Sequence, residues 1–216
     1  MDIPLPLQSD FKSTTRKADE TIWEVVYPIK QNNGDECVIT VEQETSILSW
    51  NVIFGDLWFC SGQSNMNWHM DAIFNATEEV ANSASYTNIR LFAIFEAQSD
   101  VEEDDWIGPH FGGWFTPDVY DGAKLGQFSS VCFLFARSLT DRLSAAGMGK
   151  RVFGLIDSNY GGTRIEAWMS KDALDACNVP PFNDGSKNSN QVLWNAMVHP
   201  FLRHNIYGGL WYQGKD

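Results

Sequence analysis

The stretch Val52-Ile53-Phe54-Gly55-Asp56-Leu57-Trp58-Phe59-Cys60-Ser61-Gly62-Gln63-Ser64-Asn65-Met66 decides how this chain folds. Residues 52–60 form a near-continuous apolar run, the pattern of a strand buried on both faces in a parallel sheet. The run ends abruptly in the polar, glycine-containing turn Ser61 to Met66. A serine placed just past such a strand can be held with its hydroxyl exposed and its own N–H aimed at an incoming carbonyl oxygen. Attack on an ester then passes through a tetrahedral oxyanion that fixed donors stabilise. Gly62 permits the tight turn, so Ser64 is the candidate nucleophile.

Downstream, strand and helix patterns alternate. Thr77 to Ala84 predicts a helix and Asn88 to Ile94 a strand. A long polar, aromatic and Gly-rich loop covers roughly 96–128, and loops of that length inside a domain are uncommon unless functional or disordered. Ser129 to Ala146 has apolar residues at Val131, Leu134, Phe135, Leu139 and Leu143, which is helical spacing, with Gly147 as the stop. Val152 to Ile156 predicts a strand that runs on to Asn159-Tyr160-Gly161-Gly162-Thr163. Ile165 to Met169 opens another helix, Asn190 to His199 is helical before Pro200, and Ile206 to Tyr212 is a last strand followed by Gln213-Gly214. The alternation indicates an α/β domain with a mostly parallel sheet over residues 55–216. Ligands bind such sheets beyond the carboxyl ends of the strands. Gln63-Ser64, Gly161-Gly162-Thr163 and Gln213 all fall there. A glycine-turn N–H, from Gly162 or its neighbour Gly161, and the Gln213 side-chain amide are candidate oxyanion donors.

Ahead of this domain, residues 1–20 are polar and expected to fray, and residues 21–54 are β-rich. Ile22 to Tyr27 and Cys37 to Glu42 read as strands with Asn33-Gly34-Asp35 as the turn between them, and Ile47 to Val52 as a third. So few strands do not make a stable domain alone.

The chain has 216 residues, 44% hydrophobic, and a net charge of −13. A field of that sign repels phosphate backbones and anionic lipid, which excludes nucleic acid as an expected partner. An anionic sugar would need a local basic contact. Aromatics reach 13%, including 9 Trp, a richness that suits stacking on sugars as well as filling a core. Glu102-Glu103-Asp104-Asp105 reads as a solvated loop. Cys37, Cys60, Cys132 and Cys177 match no zinc or CxxC spacing. Cys60 and Cys132 lie in apolar segments and are expected to be buried thiols. No apolar run is long enough to span a bilayer, and the N-terminus shows no recognisable signal peptide, which leaves the location open. Asn75-Ala76-Thr77 is a glycosylation sequon that matters only in the secretory path.

The motifs carry a family resemblance. Gly55 to Met66 resembles the nucleophile block of the sialate O-acetylesterase family of SGNH hydrolases. Gly154-Leu155-Ile156 with Tyr160 to Trp168 resembles its second block. Leu193 to Pro200 and Gly208 to Gly214 resemble its third region. The resemblance runs from about residue 50 to the end. It implies a flavodoxin-like three-layer SGNH sandwich, here incomplete and preceded by a short β-rich segment. It implies acetyl-ester hydrolysis on sialic acid or a related sugar through an acyl-Ser64 intermediate, with no metal or cofactor. It implies an oxyanion hole from the N–H groups of Ser64 and Gly162 and the Gln213 amide, and substrate contacts at Gln63, Asn65 and Thr163. Two departures stand out. Lys215 replaces a Glu after the Gln-Gly pair, and the chain stops at Asp216, before the Asp-x-x-His that supplies the family's base.

None of the four histidines substitutes for that pair by spacing. His69 reads as a surface or helix-face residue, His110 as part of the long loop, His199 as satisfying backbone near the sheet, and His204 as exposed. The leading expectation is therefore an esterase of weak or no activity in this chain. The other readings are a non-catalytic truncated product that binds acetylated carbohydrate or a partner, and an acetylxylan-type esterase on the same fold.

Overall fold

A computed structural model describes residues 12–14, 24–26, 34–43, 46–117 and 122–214. The expectations for residues 1–11, 15–23, 27–33, Lys215 and Asp216 lie outside the described residues. Strand β1 (Lys12–Thr14), in the segment expected to fray, pairs antiparallel with β2 (Glu24–Val26), in the run expected to be a strand. The turn expected at Asn33-Gly34-Asp35 begins outside the described residues, while the strand expected over Ile47 to Val52 is found. Strand β3 (Glu36–Gln43) pairs antiparallel along its whole length with β4 (Ser46–Ile53). The register brings Val38 opposite Asn51 and Ile39 opposite Trp50. Period-2 alternation marks each strand but does not choose its partner.

The apolar run that opens the main domain is broken once. β4 ends at Ile53 and β5 (Asp56–Gly62) starts after Phe54-Gly55. At Gly55 the chain passes so near the next strand's approach that a Cβ would lie 2.7 Å from the Val152 carbonyl oxygen. The main sheet has order β6-β7-β5-β8, with β6 (Ile89–Ala93), β7 (Phe153–Asn159) and β8 (Ile206–Tyr212). Every pairing in it is parallel. Consecutive side chains point to opposite faces and build two cores. Trp58, Cys60, Leu91, Phe153 and Leu155 enter one, under α3 (Ser130–Ala145). Phe59, Phe92 and Ile156 enter the other, under Trp168, Leu193, Met197 and Phe201. The α/β expectation holds, and elements cover both faces of the sheet.

Helix α1 (Ala76–Ser83) and α3 sit where the periodicity put them. The face of α3 that sinks deepest is Cys132, Phe133 and Ala136, with the predicted stripe residues packed around it. Small side chains at 132 and 136 let the helix approach the sheet, and Cys132 reaches Cys60 on β5. The two form a disulfide with Cα atoms 5.9 Å apart, which corrects the expectation of buried thiols. Both residues are fully buried as expected. Only the packing of α3 on β5, 72 residues away in sequence, reveals the pairing. Cys37 and Cys177 are free and exposed. The loop from 96 holds a short helix, α2 (Gly122–Gly126), near its end. The helix expected from Ile165 is a single 3-10 turn, Ile165–Trp168, followed by α4 (Lys171–Ala176). The one expected from Asn190 is wound as a π turn, Trp194–Val198, closing in a 3-10 turn at His199–Phe201. Among the described residues no helix is long and apolar enough to cross a membrane.

Candidate active site

The three segments singled out by sequence emerge from three adjacent strands. Gln63 and Ser64 follow β5, Gly161 to Thr163 follow β7, and Gln213 follows β8. The close approach of β8 explains the glycine before the serine. Gly62 has φ +139°, and a Cβ there would overlap the Tyr212 carbonyl oxygen and lie 2.8 Å from its carbon. The strands remain joined past their ends: Gln63 N donates to Tyr212 O at 3.1 Å, and Tyr160 N donates to Gly62 O at 3.1 Å. This seam holds Gln63 inside while Ser64 and Asn65 turn outward and are exposed.

Ser64 Oγ donates to Gln63 Oε1 at 3.4 Å. Its backbone N–H, and those of Gly161 and Gly162, have no hydrogen-bond partner among the described residues. Gly161 backs onto the serine: a Cβ there would lie 3.7 Å from Ser64 Cα. Gly162 takes φ +70°, a conformation open to glycine at little cost. A cleft of about 720 Å³ opens beside this turn, lined by Gln63, Gly162, Thr163, Arg164, Trp211 and Gln213 among others.

Gln213 and Thr163 hold the cleft together. Gln213 Nε2 donates to Thr163 O at 2.9 Å, and its Oε1 accepts from Trp211 Nε1 at 3.1 Å. One amide N–H of Gln213 therefore fastens β8 to the glycine turn, and the second is left for another acceptor. The Thr163 hydroxyl donates to Tyr160 O at 2.7 Å and accepts from Trp168 Nε1 at 2.9 Å. Its side chain is committed inward, so a contact with a bound molecule is left to its backbone.

No histidine bonds to Ser64. His69 pairs with Asn67 Oδ1 at 3.3 Å. His199 Nδ1 lies 2.8 Å from the Glu103 carbonyl, the backbone role its position predicted, and its Nε2 lies 3.4 Å from Glu102. His204 is exposed, and His110 bridges to Ile94 in the long loop.

Asp157 was not singled out from sequence. It is a carboxylate inside the buried strand β7, opposite Cys60. Its Oδ2 accepts from Ser129 N at 2.8 Å at the start of α3, and its Oδ1 accepts from Asn159 Nδ2. Burial pushes it up to about 7, although both bonds favour the charged form. Ser129 Oγ in turn donates to Met66 O at 2.6 Å. The buried acid is therefore two bonds from the turn that carries Ser64. An acid after the apolar Phe153-Gly154-Leu155-Ile156 was the available signal.

No family model matches the chain. It is similar over 95% of its length to proteins named sialate O-acetylesterase. Those from Pongo abelii and Homo sapiens are 38% identical over 218 residues, and that from Rattus norvegicus is 34% identical over 247. The chain spans about 40% of the length of the first two and 44% of the rat protein. Among solved structures, a carbohydrate acetylesterase from Xanthomonas citri superposes with a TM-score of 0.68 at 28% identity, over 82% of this chain and 37% of that one. The resemblance read from the motifs and the SGNH-type α/β fold are both borne out.

Proposed function

We propose that this chain, a relative of the sialate O-acetylesterases along nearly its whole length, contributes the nucleophile and oxyanion donors of an esterase that removes O-acetyl groups from a sugar. The observation that carries the reading is Ser64. It is exposed at the end of a central strand, against a glycine turn whose N–H groups are unspent, beside a cleft closed by Gln213. In this reading Ser64 Oγ attacks the acetyl carbonyl, the sugar oxygen leaves, and water hydrolyses the acyl-serine to acetate. Ser64 N and Gly162 N receive the oxyanion, with the second N–H of Gln213 as a further donor. Gln63 and Asn65 flank the nucleophile where the sugar enters. The proposed domain carrying this site is 55–216, with 21–54 as a β-rich module before it. The proton of Ser64 Oγ needs a base, and none of the described histidines is bonded to it. Removing triad members leaves roughly 10³–10⁴-fold catalysis over water in enzymes whose oxyanion hole is formed.

The test is Ser64-dependent reaction with a fluorophosphonate probe and release of p-nitrophenol from its acetate. Both are expected above the solvent rate and lost in Ser64→Ala. A chain that is folded but shows neither signal rejects the catalytic reading.

A further inference from the structure

Asn75-Ala76-Thr77 is the chain's single Asn-x-Ser/Thr triplet, and its middle residue is not proline. A triplet alone is weak. The structure adds the three things such a site requires: an accessible amide, room for a bulky group, and a chain matured where the transfer takes place.

Asn75 and Thr77 are both exposed. Asn75 stands at the head of α1 in the left-handed region, at φ 58° and ψ 31°, and its side chain does not cap the helix. The backbone is held instead by the Asn75 carbonyl, which accepts from Glu78 N and Glu79 N, both at 3.1 Å. Asn75 Nδ2 donates to Glu78 Oε2 at 2.6 Å. An amide joined to a sugar keeps one of its two N–H groups, so this bond and a glycan can coexist.

The loop before α1 is anchored from below and open above. Met70 is buried in the core under α3, and Ile73 packs against it. Phe74, by contrast, is 97% exposed, so among the described residues nothing covers the tip that carries Asn75. Trp68 is half-exposed on the same loop, with its Nε1 donating to Ala72 O at 3.2 Å. Exposed rings beside the amide offer a surface to the apolar face of a sugar.

The Cys60–Cys132 bond speaks to the compartment. Both residues are fully buried, so the pair is out of reach of a redox partner in the folded chain and is structural. Structural disulfides persist in oxidising compartments, the secretory lumen among them. Cys37 and Cys177 are exposed and free, and the argument rests on the buried pair.

We propose that Asn75 is an N-glycosylation site and that this chain matures in the secretory path. The proposal stands apart from the reading of Ser64. The donor is an oligosaccharide linked to a polyprenyl diphosphate. The Asn75 amide nitrogen forms a bond to the anomeric carbon, the bond from that carbon to the diphosphate oxygen breaks, and the amide gives up one proton. Thr77 supplies the hydroxyl that defines the triplet.

The experiment follows the peptide carrying Asn75, in the chain isolated from the cells that make it, by mass spectrometry before and after peptide N-glycosidase F. The peptide is expected to carry a glycan that the enzyme removes, and the peptides of Cys60 and Cys132 are expected to be joined until reductant is added. In a second arm the chain is secreted from cultured animal cells. Its electrophoretic mobility should shift on enzyme treatment, Thr77→Ala should abolish the shift, and Thr77→Ser should keep it. These variants leave the left-handed backbone at Asn75 untouched. If Thr77→Ala does not fold, the native peptide decides alone. An unmodified Asn75 in the native chain, Cys60 and Cys132 recovered there as thiols, or a shift that persists in Thr77→Ala overturns the proposal.

Discussion

The two ends of the central sheet are built from the same four strands, yet they are finished in opposite ways. At the amino end the strands are sealed. Asp56 N donates to Val152 O at 2.9 Å, Arg151 pairs with Asp56 at 2.7 Å, and the neighbouring cavity of about 850 Å³ is lined by Phe54, Leu57, Trp114 and Val152 among others. At the carboxyl end they stop short on glycines, leave N–H groups unpaired and expose Ser64. The larger cavity is the less informative one. It offers apolar volume without a nucleophile, whereas the smaller cleft has convergent donors. In a parallel sheet chemistry follows strand polarity more than volume.

The largest expected effect breaks the carboxyl end at its seam. Gly62→Ala combines a positive φ with a Cβ driven into the Tyr212 carbonyl, and neither β5 nor β8 can retreat without losing the pairing between them. A loss of at least about 4 kcal/mol, or failure to fold, is expected in urea unfolding. Gly161→Ala is the control at the same end. Its Cβ meets Ser64 Cα at an ordinary 3.7 Å, so stability should fall by less than about 1 kcal/mol. The new methyl would crowd the serine, and probe labelling should drop. Equal destabilisation by the two substitutions would undo the view that Gly62 alone carries the seam.

Next comes Asp157, the buried acid beneath that end. Its value of about 7 lies above the ordinary carboxylate range of about 3.9. Between those values the folded chain binds more protons than the unfolded chain. Its contribution therefore falls as pH climbs from about 4 to about 7 and is level above, by up to about 4 kcal/mol. Asp157→Asn removes the titration. Its amide oxygen can still accept from Ser129 N, and the Asn159 amide can turn over to meet its NH₂. The measurement is the difference in unfolding free energy between wild type and variant across pH 4–8, and a flat difference would refute the assignment.

The Cys60–Cys132 bond sharpens the same contrast, because it clamps α3 to β5 two residues before Gly62. Cys132→Ala should cost about 2–4 kcal/mol, the usual range for a disulfide closing a long loop. In the denatured, unreduced chain an alkylating reagent should modify Cys37 and Cys177 and leave Cys60 and Cys132 until reductant is added. Labelling of all four before reduction would remove the clamp.

How much of this was legible in sequence follows from which interactions are local. Strand ends are marked locally, by apolar runs that stop at Ser61, Asp157 and Gln213, so the three site segments could be placed beyond one edge of a sheet. Helix α3 was marked by its period and by Gly147. Partner choice was not legible: β3 pairing with β4, Cys60 pairing with Cys132, and Gln213 fastening on Thr163 each depend on packing between distant segments. The commitment of the Thr163 hydroxyl to Trp168 was hidden for the same reason. The hold of Lys187 on the Gly161 carbonyl was invisible because it comes from a tied loop that returns to the glycine turn 26 residues later, and no motif spans that return.

The smallest expected effect tests the sealed end. Arg151 and Asp56 form an ion pair with side chains 36% and 13% exposed, and the Arg151 guanidinium also lies 5.9 Å from the Tyr207 ring centroid. A half-exposed pair is screened by solvent and contributes about 0.5–1 kcal/mol. Arg151→Gln should lower stability by that amount, and the loss should shrink at high salt as the Debye length shortens. A double-mutant cycle with Asp56→Asn isolates the pair from the stacking on Tyr207. Because the pair closes the end of β5 opposite Ser64, the serine's reactivity toward the probe should not change. A fall in labelling that parallels the small loss of stability would mean that the two ends are coupled through β5, and that the sheet is a less rigid platform than its burial implies.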